Sequence, residues 1–503
     1  MTIEKTIEDY RKFVRRIMDF NEVIALAEWD MRTGAPKKGI EQRSEVVGTL
    51  SEEVFKCSVS DTMKHYIDVL ADPSVTDRID PVTKRMIEES KKTYDRYIHI
   101  PAEEHKAYII LQSQAENIWQ DAKAHSDFQM LRPYLEKIVA CKKKFLAYRG
   151  IRVHRYDALL DLYEPGLTVR TIDRIFAKLR QGIVPLVQSV VASKNQPDDR
   201  CLHVYFPADK QKALCVRLLR ENGYDFAAGR LDETEHPFEL TLNPGDVRVT
   251  TNYREHDFMS TVLGTIHEGG HALYEQHISR KLIGTPLCTG TSMGIHESQS
   301  LFYENIIGRS KAYWSLHFDE LKCYAGGSLN SVSVNDFYRA INISRPSLIR
   351  TLADELTYPL HIMVRYDIEK ALFDGDLKVA DLPRVWNEKM REYLGIVPEN
   401  DRDGVLQDIH WPSGDFGYFP SYALGYVYAA QFRQAMLRDL PDFDECIASG
   451  RLDEITNWLS AHIHRFGRLK KPLEILRDAT GEAPNPDYLI DYLTKKYSAI
   501  YRL

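Results

Sequence analysis

The sequence predicts a mainly helical protein with one small β-sheet, and three observations carry that prediction. Apolar residues recur at three- and four-residue spacing from the first segment, as in Tyr10, Phe13, Ile17, Phe20, Val23 and Ile24, and such stretches continue to the end of the chain. Only two short runs, Phe238 to Leu242 and Val247 to Tyr253, have β-type composition. The Asn243-Pro244-Gly245-Asp246 between them reads as a turn joining two strands. No Ser/Gly-rich or charge-run linker divides the 503 residues, and no solenoid-like period of roughly 20 to 50 residues is found. Residues 1–503 are therefore expected to form a single domain, with room for two lobes.

Composition narrows the function. With 44% apolar residues the chain can bury a large core. Its 66 basic and 73 acidic residues leave a formal charge of -7 and no basic field to track phosphates, which argues against a nucleic-acid partner. The first residues, MTIEKTIEDYRKFVRR, carry charges where a secretory signal would be apolar, and no run approaches the roughly 18 apolar residues of a membrane span. Seven scattered cysteines without CxxC spacing suggest neither a disulfide framework nor a thiolate metal site. A cytoplasmic protein without a membrane partner is expected.

The segment Glu255 to His277 (EHDFMSTVLGTIHEGGHALYEQH) reads as a buried helix, with Phe258, Val262, Ile266 and Tyr274 on one apolar face. On it His267 and His271 stand one turn apart, close enough to share a metal ion. Glu268 lies beside them, where a carboxylate can take a proton from a water whose pKa the ion has lowered and pass it to a leaving amine. The five-residue motif HExxH arises by chance in roughly 4% of chains this long, so its context counts. Gly269 and Gly270 each cost about 1 kcal/mol in a helix interior, a cost that a purely structural helix has no reason to accept. Their missing side chains leave room for a close-packed strand or for substrate.

A catalytic zinc needs a third protein ligand and an open position. The candidates are Glu275, His296, Glu297 and Glu304. Glu275 would have to bend back along its own helix. Met293 to Arg309 (MGIHESQSLFYENIIGR) reads as a second buried helix, and Glu297, 26 residues after His271, leaves the chain length to return. Spacing favours Glu297 and keeps Glu304 open, either as a ligand or as an acceptor fixing a histidine tautomer.

Further motifs lie in order along the chain: Trp29, Asp30, Thr33, Pro36, Gly39 and Arg43; Asp246, Arg248 and Thr250; His296 to Leu301 (HESQSL); Ile349, Arg350, Ala353 and Asp354; and Gly404, Gln407, Asp408, His410 and Trp411. In these the sequence resembles the M32 family of metallocarboxypeptidases over nearly its whole length. The resemblance implies a helical homodimer with a deep groove that removes single residues from peptides with a free C-terminus, using one Zn2+ or Co2+ per subunit. It also implies Glu297 as the third ligand. A His2Glu set suits either ion.

Recognition of a free α-carboxylate calls for a guanidinium, and Arg350 and Arg248 are the candidates. Taken alone, Arg350 and Asp354 read as an ion pair four apart on a helix, and Arg248 as an edge-strand charge; the resemblance favours Arg350 as a carboxylate binder. For the oxyanion, His410, oriented by Asp408 or Gln407, and Tyr422, within a shaped loop spanning Gly414 to Tyr426, have suitable chemistry. Cys288 reads as an inert thiol. Competing functions are an endo-acting oligopeptidase with a similar cleft and a non-enzymatic helical scaffold; the complete His267, Glu268, His271 set argues against the scaffold. An aminopeptidase is disfavoured because no GxMEN stretch precedes the motif.

Overall fold

A computed structural model describes residues 2–503. Among them are twenty-one α-helices and three strands, so the helical periodicity governs the architecture. The elements that build the site are α1 (Ile3–Thr33), α2 (Val169–Ala192), α3 (Ala208–Glu221), β1 (Gly229–Glu233), β2 (Glu239–Asn243), β3 (Asp246–Thr251), α4 (Phe258–Gln276), α5 (Met293–Leu301), α6 (Lys311–Tyr324), α7 (Tyr358–Phe373) and α8 (Pro420–Asp439). By length and composition α2 could cross a membrane. Its Ile172, Ile175, Leu179, Ile183 and Val190 form a stripe buried within the protein core.

The sheet has the order β1-β3-β2, with β1 parallel and β2 antiparallel to β3. The turn at Pro244-Gly245 joins β2 and β3 as the sequence predicts. Strand β1 (GRLDE) carries no apolar alternation and escaped prediction; its pairing with β3 makes it a strand. Alternation gives β3 two different faces. Val247 and Val249 are fully buried on one face, while Arg248 on the other pairs with Asp246 at 2.7 Å and stacks over Trp29 of α1. Thr250 Oγ1 accepts from Phe238 N at 2.8 Å, and the Phe238 ring meets Trp29 edge-on. The residues of these two N-terminal motifs thus fasten α1 to the sheet.

Three local expectations change. The Met293–Arg309 segment is α-helical only to Leu301 and continues as a π-helical turn, Phe302–Gly308. Such a turn shifts the facing of the residues that follow it. Of the expected Gly414–Tyr426 loop only the first part is a loop: Pro420 at the first helical position starts α8, so Tyr422 and Tyr426 are helical. Arg350 begins a short 3₁₀ turn, Arg350–Leu352, and shares no helix with Asp354. Asp354 instead accepts from Thr357 N and Thr357 Oγ1, holding the start of α7.

The two glycines of the metal motif face different neighbours. A Cβ on Gly270 would lie 2.6 Å from Ser300 Cα and 2.7 Å from Gln299 O, so the missing side chain admits the backbone of α5 rather than a strand or a substrate. A Cβ on Gly269 would meet only the tip of Leu219 on α3, at 2.5 Å. Both alanine substitutions gain about 1 kcal/mol of helix propensity, but only Gly270→Ala must move backbone. We expect Gly269→Ala to stay near wild-type stability and Gly270→Ala to lose about 1–3 kcal/mol. Urea unfolding midpoints of the two variants check this.

Candidate active site

Helix α4 runs through the core, and among its buried residues are Val262, Ile266 and Leu273. That burial aims His267 and His271 at α5, which lies close because Gly270 admits it. Ser292 caps α5 by accepting from Ile295 N, so Glu297 sits one turn into the helix. Glu297 Oε2 is then 3.5 Å from His271 Nε2 and 3.9 Å from His267 Nε2. With metal–ligand distances of about 2.0–2.2 Å, two ligands of one tetrahedral ion stand roughly 3.3–3.5 Å apart. The three residues thus have the spacing and the chemistry of a His2Glu metal site.

Each imidazole is held from behind. His267 Nδ1 is 2.9 Å from Glu304 Oε2, and Arg309 donates to Glu304 Oε1 at 3.0 Å. The π-helical turn gives Glu304 this facing. His271 Nδ1 is 2.6 Å from His296 Nδ1, and His296 Nε2 is 3.1 Å from Glu275 Oε1. One proton arrangement satisfies this chain: His271 donates from Nδ1 to His296, and His296 donates from Nε2 to Glu275. Nε2 of His271 then keeps its lone pair for a metal. His296 and Glu275, weighed from the sequence as ligands, stand one and two hydrogen bonds behind the triad, respectively.

The charges favour a cation. Burial works against a protonated His267, but Glu304 and Glu297 outweigh it and raise its pKa to about 10; His271, held down chiefly by burial, falls to about 4. Burial raises Glu268 to about 7, with Glu297 pushing the same way. Glu268, Glu297 and Glu304 surround the two rings, and Arg309 is bonded to Glu304 alone among them. The field that favours a proton on His267 equally favours a divalent ion between the rings.

The triad opens into a groove of about 780 Å³, whose walls include Glu268, Glu239 and Thr241 of β2, Arg350, Tyr358 and Tyr422. Arg350 is 7% exposed and far from a surface ion pair. Its Nε and one terminal nitrogen donate to Asp408 Oδ1 at 3.0 and 2.8 Å, and the other donates to Tyr358 Oη at 2.8 Å. Arg365 of α7, fully buried, donates to the other oxygen of Asp408 at 2.7 and 2.5 Å. Two guanidiniums share one carboxylate, which leaves a net positive charge at this end of the groove. Arg365, Asp408 as its partner and Tyr358 were not foreseen, because nothing local in the sequence marks their pairing.

Other expected residues fall differently. Arg248 is on the far face of the sheet, lining a separate cavity with Trp29 and Asp30. His410 is not a groove-lining residue; its Nε2 lies 3.2 Å from Tyr422 Oη, and Tyr422 is on the wall. Neither Asp408 nor Gln407 orients it, because Asp408 is taken by the arginines and Gln407 Oε1 accepts from Arg350 N and Arg365. Burial lowers His410 to about 4, and Arg350 and Arg365 add to that, so the ring is neutral. The Cys288 thiol is raised to about 12, chiefly by burial.

A helical scaffold with a His2Glu triad, an adjacent glutamate and a cationic groove end defines a metal-dependent peptide hydrolase. The family model described as carboxypeptidase Taq (M32) metallopeptidase matches residues 9–497, and the chain belongs to this family of metallocarboxypeptidases. Carboxypeptidase 1 of Bacillus subtilis (strain 168) is 52% identical over 503 residues, all of both chains. Thermostable carboxypeptidase 1 of Thermus thermophilus is 39% identical, again over all of both chains. The crystal structure of the M32 carboxypeptidase from Deinococcus radiodurans R1 superposes with a TM-score of 0.95 at 33% identity, covering 99% of this chain and 100% of that one.

The two glutamates have separable effects on metal. Glu297→Ala removes a ligand atom and should abolish stable occupancy. Glu304→Ala leaves all three donors and removes only the group that orients His267, weakening affinity about 10–100-fold. Metal analysis after dialysis at graded free zinc distinguishes the two.

Proposed function

We propose that His267, His271 and Glu297 hold one Zn2+ or Co2+ and that the chain uses it to remove single residues from peptides with a free C-terminus. The observation that carries the reading is the net positive Arg350–Asp408–Arg365 cluster, which shares a groove with the triad. A terminal carboxylate paired with Arg350 balances that charge and holds the last peptide bond near the metal end. An internal stretch of peptide has no group for this position, so the geometry favours exopeptidase over endopeptidase action.

When bound, the ion polarises the scissile carbonyl and lowers the pKa of the attacking water. Glu268 takes the proton from that water and delivers it to the leaving amine. Tyr422, whose phenol is held protonated by burial, donates to the developing oxyanion, and His410 positions it from behind. Glu304 and the His296–Glu275 chain hold the two imidazoles in their metal-facing tautomers. We propose further that residues 1–503 form a single catalytic domain and that the protein works as a cytoplasmic homodimer. The family resemblance supports the dimer, and seven free cysteines support a reducing compartment.

Glu268→Gln should retain metal and lose nearly all turnover, checked by metal content and peptide cleavage in the same preparation. Arg350→Ala should lower kcat/KM on free peptides by roughly 30-fold or more, because a desolvated carboxylate without its partner costs about 2–5 kcal/mol. A C-terminally amidated peptide should be a poor substrate for the wild type and nearly insensitive to the substitution. The four rates form a double-mutant cycle. A coupling near zero, with the amide cut as fast as the acid, would overturn carboxylate recognition and favour endo-acting chemistry.

A further inference from the structure

A second cluster of metal-ligating groups lies away from the groove, where the end of α3 meets α6. Glu221 is the last residue of α3; His317 and Glu320 stand three apart on α6 and so project from one face of it. Each of the three offers one ligand atom, and these atoms lie within 4.8 Å of one another. Two observations separate the cluster from a chance grouping of surface acids. His317 is 2% exposed, packed against Tyr313 with the two rings tilted and their centroids 4.3 Å apart, and turns Nδ1 toward Glu221. A nitrogen on so buried a ring calls for a partner, and the group that Nδ1 faces is the Glu221 carboxylate.

The second observation concerns distance. His317 Nδ1 lies 3.4 Å from Glu221 Oε2, and that oxygen is itself buried without a hydrogen-bond partner. The gap is long for a hydrogen bond and close to the roughly 3.3–3.5 Å that separates two ligands of one tetrahedral ion. It also matches the 3.5 Å between His271 and Glu297 in the active site.

Arg217 completes the arrangement. It donates to Glu221 Oε1 at 2.7 Å and to Glu320 Oε1 at 2.8 Å, holding both carboxylates in place through one oxygen each. The second oxygen of each carboxylate remains for a cation. Glu221 and Glu320 are about 30% exposed (30% and 29%), so an ion can enter from solvent while His317 closes the site from within.

We propose that Glu221, His317 and Glu320 form a second metal site, taking a divalent cation of borderline character such as Zn2+ or Co2+. The imidazole and carboxylate donors suit these ions better than Mg2+ or Ca2+. Its consequence is mechanical: the ion ties the end of α3 to α6, and α3 supplies Leu219, the side chain seated against Gly269 in the catalytic helix. The ion would thus link two helices beside the catalytic one without touching substrate.

Equilibrium dialysis of the full-length protein against graded zinc, followed by metal analysis, tests the proposal. The wild type should bind two ions per chain, the second more weakly. Glu221→Gln/Glu320→Gln should bind one, and Glu297→Ala should retain the second ion while losing the catalytic one. Circular dichroism of the double variant establishes that it is folded, and peptide cleavage at one ion per chain should remain at the wild-type level. One ion per wild-type chain, or a second ion that survives Glu221→Gln/Glu320→Gln, would overturn the site.

Discussion

The active site depends on the close approach of α4 and α5 at Gly270. A side chain there would collide with the backbone at Gln299 and Ser300, so any larger residue sets the two helices further apart. That distance decides whether Glu297 reaches the same point as the two histidines. A second glycine acts in the same way from the other side: a Cβ on Gly425 of α8 would lie 2.7 Å from Glu297 Cγ. Glu297 is thus clamped between two helices, each of which comes close because it lacks a side chain. Two glycines inside helices cost helix propensity, and the return is a ligand set held by packed backbone.

Electrostatics gives the groove a direction. At the metal end, Glu268, Glu297 and Glu304 gather around the imidazoles; at the other end Arg350 and Arg365 share Asp408. Each end is out of balance in the sense that suits the occupant proposed for it, a cation at one and a carboxylate at the other. Burial raises the cost of leaving either charge unmatched. A peptide entering with its free carboxylate toward Arg350 satisfies the cationic end, and the reverse orientation satisfies neither. The aromatic wall of Tyr358, Tyr422 and Tyr426 lies beside this cationic end and narrows the access of water to it.

Much of this was legible in the chain, and the exceptions share a cause. The helical class, the β2–β3 hairpin and the metal helix follow from local periodicity and turn chemistry. Arg248 shows where local reading stops: its motif is intact, but strand alternation turns it toward Trp29 and away from the groove. His410 shows the same for partners. Asp408 is only two residues away in sequence, yet its oxygens are taken by arginines 58 and 43 positions distant.

What the sequence determined by itself is the chemistry of the metal helix: two histidines one turn apart with a glutamate between them are an inventory of donors and charges that needs no fold to be recognised. The tertiary structure adds the distances: Glu297 lies beside both histidines, and Glu304, within the π-helical turn, stands behind His267. It alone joined Arg350 to Arg365 through Asp408. The physical reason is that ligand spacing and charge balance are set by distances between helices. Those distances come from which side chains are missing at their contacts, here Gly270 and Gly425, and a contact pairs residues that the chain order keeps far apart.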